Sequence, residues 1–180
     1  MLEIELKVRV SSIAPLRQKL ADLNAQSCGT VHEHDIYYNA PHRDFGSTDE
    51  AIRVRYTGDH AVITYKGAKI EASGLKAREE LSTAVESGEV FEQILDRLGF
   101  LKTAEVNKWR ENFRYRNAAI SLDSVDELGN FAEIEILAEN DDVDLSAHIN
   151  KISEEIGIQG EPILTSYLEM LLSKRSAAQP

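Results

Sequence analysis

Charged residues alternate with apolar ones at the start of the chain, in the sequence Glu3-Ile4-Glu5-Leu6-Lys7. Successive side chains of a β-strand point to opposite faces, so the two glutamates and the lysine would share one face. Carboxylates suit a hard divalent cation, and a lysine suits an anion. One such strand is typical of a half-exposed sheet whose charges lie in water, so the pattern becomes informative only if other strands repeat it.

Several later segments repeat the alternation. The basic residues on these faces are Lys7, Arg9, Arg53, Arg55, Lys66, Lys76, Arg78, Lys108, Arg110 and Arg114. The acidic residues are Glu3, Glu5, Glu80, Asp123, Glu133 and Glu135. Cations outnumber acids here although the formal net charge of the chain is −11. Surface solvation gives no reason for this reversal, so we expect the charged faces to meet in one interior.

An interior with this lining predicts a ligand. Buried charges are costly unless they are paired or ligated. The cations match a polyanion such as a triphosphate or diphosphate, because Lys and Arg bind phosphate oxygens strongly. The carboxylates would repel that polyanion unless Mg²⁺ or Mn²⁺ bridged the two. The alternative is a network of ion pairs that neutralises itself and binds nothing.

The elements that would position these residues follow from the periodicity of the sequence. The predicted strands are 2–10, 30–38, 50–57, 61–66, 75–84, 104–116, 118–125 and 131–138. The predicted helices follow Ser12, follow Ser87, and lie near 144–157 and 163–173, with polar loops at 39–49 and 67–74. We therefore expect an α+β fold, in which an eight-stranded antiparallel β-barrel has its helices packed outside. Such a barrel has room inside for side chains or one small ligand.

Length and composition exclude several classes of protein. The 180 residues suit one domain, which we place at 1–173, followed by a disordered tail at 174–180. No apolar run is long enough to span a bilayer, and the acidity argues against nucleic-acid or anionic-membrane partners. Cys28 is the only cysteine and is expected to be buried, as are Trp109 and Phe113 on outward strand faces. A lone cysteine fits a reducing cytoplasm.

The sequence resembles the CYTH family, the triphosphate tunnel enzymes. The signature Glu-x-Glu-x-Lys is matched by Glu3, Glu5 and Lys7, and further charged motifs follow in family order: Arg53-x-Arg55, Lys66, Arg78-x-Glu80, Lys108-x-Arg110, Asp123 and Glu133-x-Glu135. The resemblance implies a tunnel of eight antiparallel strands. It implies that triphosphate is bound by Lys7, Arg53, Arg55, Lys66, Arg78, Lys108 and Arg110. It implies that metal is ligated by a pool comprising Glu3, Glu5, Asp123, Glu133 and Glu135.

Within that family the chain is similar to the class IV adenylyl cyclase branch. The similarity lies in segments 35–55 and 128–131 and in Ser166-Tyr167. It implies a homodimer that converts ATP to cyclic AMP and pyrophosphate with Mg²⁺ or Mn²⁺, using Glu3, Glu5, Glu133 and Glu135 as catalytic residues. The segment 30–50 would then hold the nucleoside. Two alternatives remain open: hydrolysis of inorganic, nucleoside or thiamine triphosphate, and polyphosphate binding without catalysis.

Overall fold

The computed structural model describes residues 2–72, 75–138 and 145–177, with side chains described for 4–69, 78–136 and 146–177. The elements in chain order are β1 Leu2–Val10, α1 Ala14–Asp22, β2 Gln26–Asn39, α2 Phe45–Thr48, β3 Ala51–Thr57, β4 His60–Lys66, β5 Ile70–Ala72, β6 Leu75–Val85, α3 Gly88–Arg97, β7 Leu101–Tyr115, β8 Ala118–Val125, β9 Gly129–Ala138, α4 Leu145–Ile156 and α5 Tyr167–Ala177.

Eight of the nine strands in the described residues form a closed antiparallel ring. The order β1-β9-β8-β7-β2-β3-β4-β6 returns to the start through pairing of β6 with β1. The three-residue strand β5 adds to β6 outside this ring. The predicted eight-stranded antiparallel barrel with helices outside is therefore confirmed.

The apolar strand faces pack against helices on the outside of the barrel. On one side, Ile4, Leu6 and Val8 of β1 join buried residues of β8 and β9, and α1 and α4 cover them with Leu20 and Ile152. On another side, α3 places Phe91 and Leu95 on the outer faces of β2, β3 and β4. The alternation of apolar and charged residues thus puts the charged faces inside the ring.

Helix α5 occupies a different position from the other helices. Its residues Tyr167 and Leu171 pack against Val106, Val125 and Phe131, which lie on the same strand faces as the interior charges. The helix therefore covers one end of the barrel, and its first turn reaches the interior. Within the described residues, no helix is long and apolar enough to cross a membrane.

Several local expectations differ from the structure. The loop predicted at 39–49 contains α2, and the loop predicted at 67–74 contains β5. Helix α5 continues through Ala177, so the predicted disordered tail is wrong for 174–177, while 178–180 lie outside the described residues. Cys28 is exposed rather than buried. Trp109 is 56% exposed, because none of the helices among the described residues packs over it. Phe113 is buried as predicted.

Candidate functional site

The inward faces of the barrel enclose a cavity of about 140 Å³, which we call the tunnel cavity. Its lining residues are Glu5, Lys7, Tyr37, Ala51, Arg53, Arg55, Lys66, Arg78, Glu80, Lys108, Arg110, Glu133, Glu135, Ser166, Tyr167 and Leu168. Seven of these side chains are cationic and four are carboxylates, a formal balance of +3 in a chain of net charge −11. The cavity is therefore a local concentration of positive charge.

Strand register pairs most of these cations with carboxylates on the neighbouring strand. Directly opposite residues on one sheet face lie close together, and opposite charges there stabilise the pairing. Five such pairs are in register: Lys7 with Glu133, Arg55 with Asp35, Lys66 with Glu80, Lys108 with Glu33, and Arg110 with Asp123. The ion pairs of the interior are thus built into the pairing of the sheet.

Lys7 joins the two acidic strands of the site. Its Nζ lies 2.8 Å from Glu5 Oε1 and 3.3 Å from Glu133 Oε1. Burial alone would lower the pKa of Lys7, but the two glutamates raise it above its usual value. Lys7 therefore stays charged in the interior, and its ammonium group also lies 4.5 Å from the ring centre of Tyr167.

Asp35 and Glu33 lie behind the cations, where they are almost fully buried. Arg55 donates from Nε to Asp35 Oδ1 at 2.6 Å and from Nη2 to Oδ2 at 2.7 Å. Glu33 Oε2 lies 3.0 Å from Arg55 Nη1 and 3.0 Å from Lys108 Nζ. Burial opposes ionisation, yet Arg53, Arg55 and Lys108 hold the pKa of Asp35 well below its usual range. Both acids are therefore charged partners of the cations.

Arg110 is held by a carboxylate that does not line the tunnel cavity. Asp123, which is 0% exposed, accepts from Arg110 Nε at 2.7 Å and Nη2 at 2.5 Å, and from the Tyr167 hydroxyl at 2.9 Å. Arg110 also contacts Glu133. Both oxygens of Asp123 are thus occupied by protein donors. The chain Tyr167–Asp123–Arg110 fixes the guanidinium at the cavity wall.

Arg53 and Arg78 each keep one nitrogen without a hydrogen-bond partner among the described residues. Arg53 lies opposite Tyr37 and Thr64 in the sheet and donates from Nη2 to Thr64 Oγ1 at 3.3 Å. Its Nη1 lies 3.8 Å from Asp35 Oδ2. Arg78 donates from Nη2 to the Asp49 carbonyl at 2.7 Å and to Asp49 Oδ1 at 3.0 Å. The Nε atoms of both arginines are buried without a hydrogen-bond partner among the described side chains and backbone. Each of the two guanidinium groups therefore keeps a donor that no described protein acceptor uses.

The structure brings ten predicted site residues together at the tunnel cavity: Glu5, Lys7, Arg53, Arg55, Lys66, Arg78, Lys108, Arg110, Glu133 and Glu135. Asp123 lies behind the cavity wall. The side chains of Glu3 and Lys76 fall outside the described residues, although their backbones pair in β1 and β6. Arg9 and Arg114 are exposed and do not line the cavity, because they lie towards the ends of their strands.

The sequence assigned no role in the interior charges to Glu33 or Tyr167, and Asp35 was likewise absent from the predicted acidic set. Glu33 shares the strand face of Asp35 and Tyr37, so the same alternation could have identified it. Tyr167 carries no such signal, because its place beside Lys7 depends on where α5 docks. Both residues act on the charges of the site, Glu33 by pairing with Lys108 and Tyr167 by donating to Asp123.

The carboxylates suit a divalent cation that is shared with phosphate. Glu5 and Glu135 are directly opposite each other across β1 and β9, and like charges in that position are destabilising unless a cation lies near. Within the side chains that are described, no three potential ligands already form a metal cluster. Mg²⁺ commonly binds one or two carboxylates and completes its coordination with substrate phosphates and water. The donor set therefore fits such an ion, and Glu5 and Glu135 are the residues that could hold it.

Comparisons with known proteins agree with this fold and site. The CYTH domain model matches residues 1–167. The protein "Putative adenylate cyclase MJ0240" of Methanocaldococcus jannaschii is 33% identical over 173 residues, which cover 94% of this chain and 98% of that protein. The PH1819 protein of Pyrococcus horikoshii OT3 is 33% identical with a TM-score of 0.84, over 96% of this chain and 99% of the other.

A more distant structure shares the fold alone. The HpAC1 protein of Hippeastrum, described as having a dominant triphosphatase activity, is 18% identical with a TM-score of 0.73, over 96% of each chain. The barrel and its charged interior define a triphosphate tunnel protein. The chain belongs to the CYTH family. Membership implies a triphosphate ligand and dependence on a divalent metal.

Proposed function

We propose that this protein is a metal-dependent adenylyl cyclase, which converts ATP to cyclic AMP and pyrophosphate. The observation that carries the proposal is the tunnel cavity, where seven cations and four carboxylates line one space in an acidic chain. The choice of ATP and cyclisation is supported by the relative from Methanocaldococcus jannaschii, whose name includes adenylate cyclase and which matches 94% of this chain.

The cations of the chain would bind and orient the triphosphate. Arg53 and Arg78 offer buried Nε donors, and Lys66, Lys108, Arg55 and Arg110 line the same cavity. In cyclisation the ribose 3′-oxygen attacks the α-phosphorus, and the bond to the pyrophosphate oxygen breaks. Fixed cations around the departing pyrophosphate stabilise the negative charge that develops on it, at no cost of reorganisation during the reaction.

The carboxylates Glu5 and Glu135 would hold Mg²⁺ or Mn²⁺ beside the phosphates. Glu133 would lie beside them and contact Lys7 and Arg110. The bound ion supplies Lewis-acid polarisation of phosphate and a lower pKa for the attacking hydroxyl. We include Glu3 among the proposed metal ligands because it lies on β1, two residues before Glu5. Asp123 is better assigned to positioning Arg110, because its oxygens already accept from Arg110 and Tyr167.

Hydrolysis of a triphosphate is the competing reaction for the same cavity. It would use the same cations, with water attacking a phosphorus in place of the 3′-oxygen. The two reactions differ in the need to hold a nucleoside, because the 3′-oxygen must lie in line with the α-phosphorus. Inorganic tripolyphosphate would be a substrate only for the hydrolase.

Phosphorus NMR of the purified protein with ATP and Mg²⁺ or Mn²⁺ tests the proposal. We expect resonances of cyclic AMP and pyrophosphate, and none without the metal. ADP with orthophosphate, or cleavage of tripolyphosphate, would reject cyclisation in favour of hydrolysis. Binding of ATP without any product would leave a non-catalytic polyphosphate-binding protein. Glu135→Gln should remove turnover while tripolyphosphate binding persists, because the substitution removes a metal ligand and not a phosphate-binding cation.

A further inference from the structure

Glu33 on β2 is a buried carboxylate that the proposed reaction does not use. The residue is 7% exposed and does not line the tunnel cavity. Three cations that do line the cavity converge on its Oε2 atom: Arg55 Nη1 at 3.0 Å, Lys108 Nζ at 3.0 Å and Arg110 Nε at 4.0 Å. Glu33 therefore lies directly behind cations that we propose bind phosphate.

Glu33 is held differently from the two buried aspartates beside the same cations. Asp35 accepts two hydrogen bonds from Arg55. Asp123 accepts two hydrogen bonds from Arg110. The buried Oε2 atom of Glu33 accepts no hydrogen bond from the described residues. Its attraction to the cations is therefore electrostatic, without the paired hydrogen bonds that orient a guanidinium on a carboxylate.

The nitrogen atoms nearest Glu33 are those that the aspartates leave over. Arg55 uses Nε and Nη2 for Asp35, which leaves Nη1 beside Glu33. Lys108 Nζ is 3.8 Å from Asp35 and closer to Glu33, which it also opposes in the sheet. Arg55 Nη1 and Lys108 Nζ are thus the donors of this wall that a phosphate oxygen in the tunnel cavity would draw upon.

Glu33 makes this wall less cationic than its lining residues alone would be. Burial raises the pKa of the carboxyl, and the neighbouring charge of Asp35 acts in the same direction. Lys108, Arg55 and Arg110 outweigh both and hold its pKa below its usual value, so Glu33 is charged at neutral pH. A fixed negative charge at this distance opposes a polyanion, because Coulomb interactions between buried charges are only weakly screened.

We propose that Glu33 is an internal competitor of the substrate's phosphate groups and sets their affinity for the tunnel cavity. This inference rests on the proposed function, because it assumes that phosphate oxygens bind Arg55 and Lys108. Without phosphate, Glu33 supplies the negative charge that these cations require. Phosphate oxygens replace that charge when they bind, and weaker ion pairs at Glu33 offset part of the gain. The tunnel cavity can then hold a triphosphate and still release pyrophosphate.

Glu33→Gln tests the inference, because it removes the charge and keeps the size of the side chain. The matched control is Glu111→Gln on β7, which changes the net charge equally. Glu111 pairs at 2.6 Å with Arg17 of α1, outside the barrel. Calorimetric titrations in EDTA at constant ionic strength measure the binding of tripolyphosphate and pyrophosphate. We expect Glu33→Gln to bind both about tenfold more tightly or better, and Glu111→Gln to stay within about twofold of the wild type.

Three results would contradict this account, and they separate its parts. Weaker or unchanged binding by Glu33→Gln would overturn the inference, because Glu33 would then only orient Lys108 or stabilise the sheet. Equal tightening by Glu111→Gln would also overturn it, since affinity would then follow the net charge of the protein. Failure of the wild-type protein to bind tripolyphosphate would instead reject the proposed phosphate site, and this inference with it.

A measurement on the wild-type protein avoids dependence on the folding of a variant. The carboxyl-carbon NMR signal of Glu33 reports its protonation as the pH falls from about 7 to about 4. Saturating tripolyphosphate should raise the pKa of Glu33 by about one unit or more, because linkage makes this rise the counterpart of the tenfold tightening. The pKa of Glu111 should stay the same with and without tripolyphosphate. An unchanged pKa of Glu33 would contradict its competition with phosphate.

Discussion

Arg53 and Arg55 lie two residues apart on β3 and face the same cavity, but they differ in how closely they contact carboxylates. Arg55 balances Asp35 and Glu33, with three contacts of 3.0 Å or less. Arg53 has no contact that close to a carboxylate in the described part of the structure, and its Nε lacks a partner there. Arg53 also lowers the pKa of Asp35, but it makes no hydrogen bond to a carboxylate among the described residues. Arg55 therefore contributes more to stability than Arg53 does.

The two alanine substitutions should separate these roles. We expect Arg53→Ala to weaken tripolyphosphate binding by about 1.5–3 kcal/mol, the usual contribution of a hydrogen bond to a charged group, with a smaller loss of stability than Arg55→Ala. Arg55→Ala should also lower the free energy of unfolding by about 3–5 kcal/mol, because it leaves buried carboxylates uncompensated. Calorimetry and urea denaturation measure the two effects, with exposed Arg114→Ala as the control. Unchanged tripolyphosphate affinity in Arg53→Ala would contradict this assignment.

Asp123 has a role that stability measurements can identify. Asp123→Asn removes the charge that balances Arg110, so the free energy of unfolding should fall by about 3–5 kcal/mol. The exposed neighbour substitution Asp126→Asn should stay within about 0.5 kcal/mol of the wild type. Urea denaturation compares the two variants. If Asp123→Asn retained full stability and changed only the metal concentration needed for turnover, Asp123 would be a metal ligand rather than a support for Arg110.

At the scale of elements, α3 is attached to the barrel by apolar packing and by one carboxylate. Glu92 accepts from the hydroxyl of Tyr38 at 2.5 Å and from that of Tyr56. The helix begins at Gly88, with Ser87 Oγ accepting from the Val90 amide at 3.2 Å. A Cβ at Gly88 would lie 2.5 Å from the Tyr56 ring. The close approach of helix and sheet therefore depends on glycine at this position.

Gly88→Ala should accordingly destabilise the protein by about 1–3 kcal/mol, the usual cost of overpacking. The Tyr56 ring cannot move aside without disturbing its hydrogen bond to Glu92. Gly46→Ala provides the control, because a Cβ there would meet nothing closer than 3.4 Å. Thermal denaturation of both variants measures the difference. Equal melting temperatures for the two would show that α3 is not held at the distance described here.

The alternation of residues predicted most strands because it reports directly on which face is buried. Ile4 and Leu6 pack against helices, and Glu5 and Lys7 line the interior, as that pattern indicated. Helix α2 was missed because its start depends on side chains rather than on periodicity: Asp44 accepts from the Gly46 amide, and Asn39 donates to Asp44. Trp109 was misjudged because alternation identifies an outward face but not whether a helix covers it.

At the scale of the whole molecule, the charged residues of the candidate site could be predicted from the sequence, but the ion pairs between them could not. The sequence placed ten of its residues correctly in one interior. The register that sets Lys108 opposite Glu33 and Arg110 opposite Asp123 depends on pairing between distant strands. The docking of Tyr167 depends on α5 reaching the open end of the barrel. A homodimer and a cytoplasmic location stay predictions from the sequence.

The buried ion pairs predict how stability depends on pH. Burial raises the pKa values of Asp35 and Glu33, but the neighbouring cations outweigh it and lower both. Carboxyls with depressed folded-state pKa values stabilise the protein above their unfolded pKa values, near 4, and this stabilisation is lost as the pH falls further. Asp35→Asn should therefore be less stable than the wild type at about pH 7, with a smaller difference at about pH 3. Urea denaturation at both pH values measures it, and a constant difference would contradict the ion-pair account.

The melting temperature in tripolyphosphate tests the central claim, that the tunnel cavity is a triphosphate site and not a self-neutralised network of ion pairs. A ligand at about 100 times its dissociation constant stabilises the folded state by about 2.7 kcal/mol. For a chain of this size we therefore expect a rise of about 5–11 °C, at about 2–4 °C per kcal/mol. Sodium chloride of equal ionic strength should give no comparable rise, and Arg53→Ala should lose most of it. Equal shifts in the two salts would contradict a triphosphate site in the tunnel cavity.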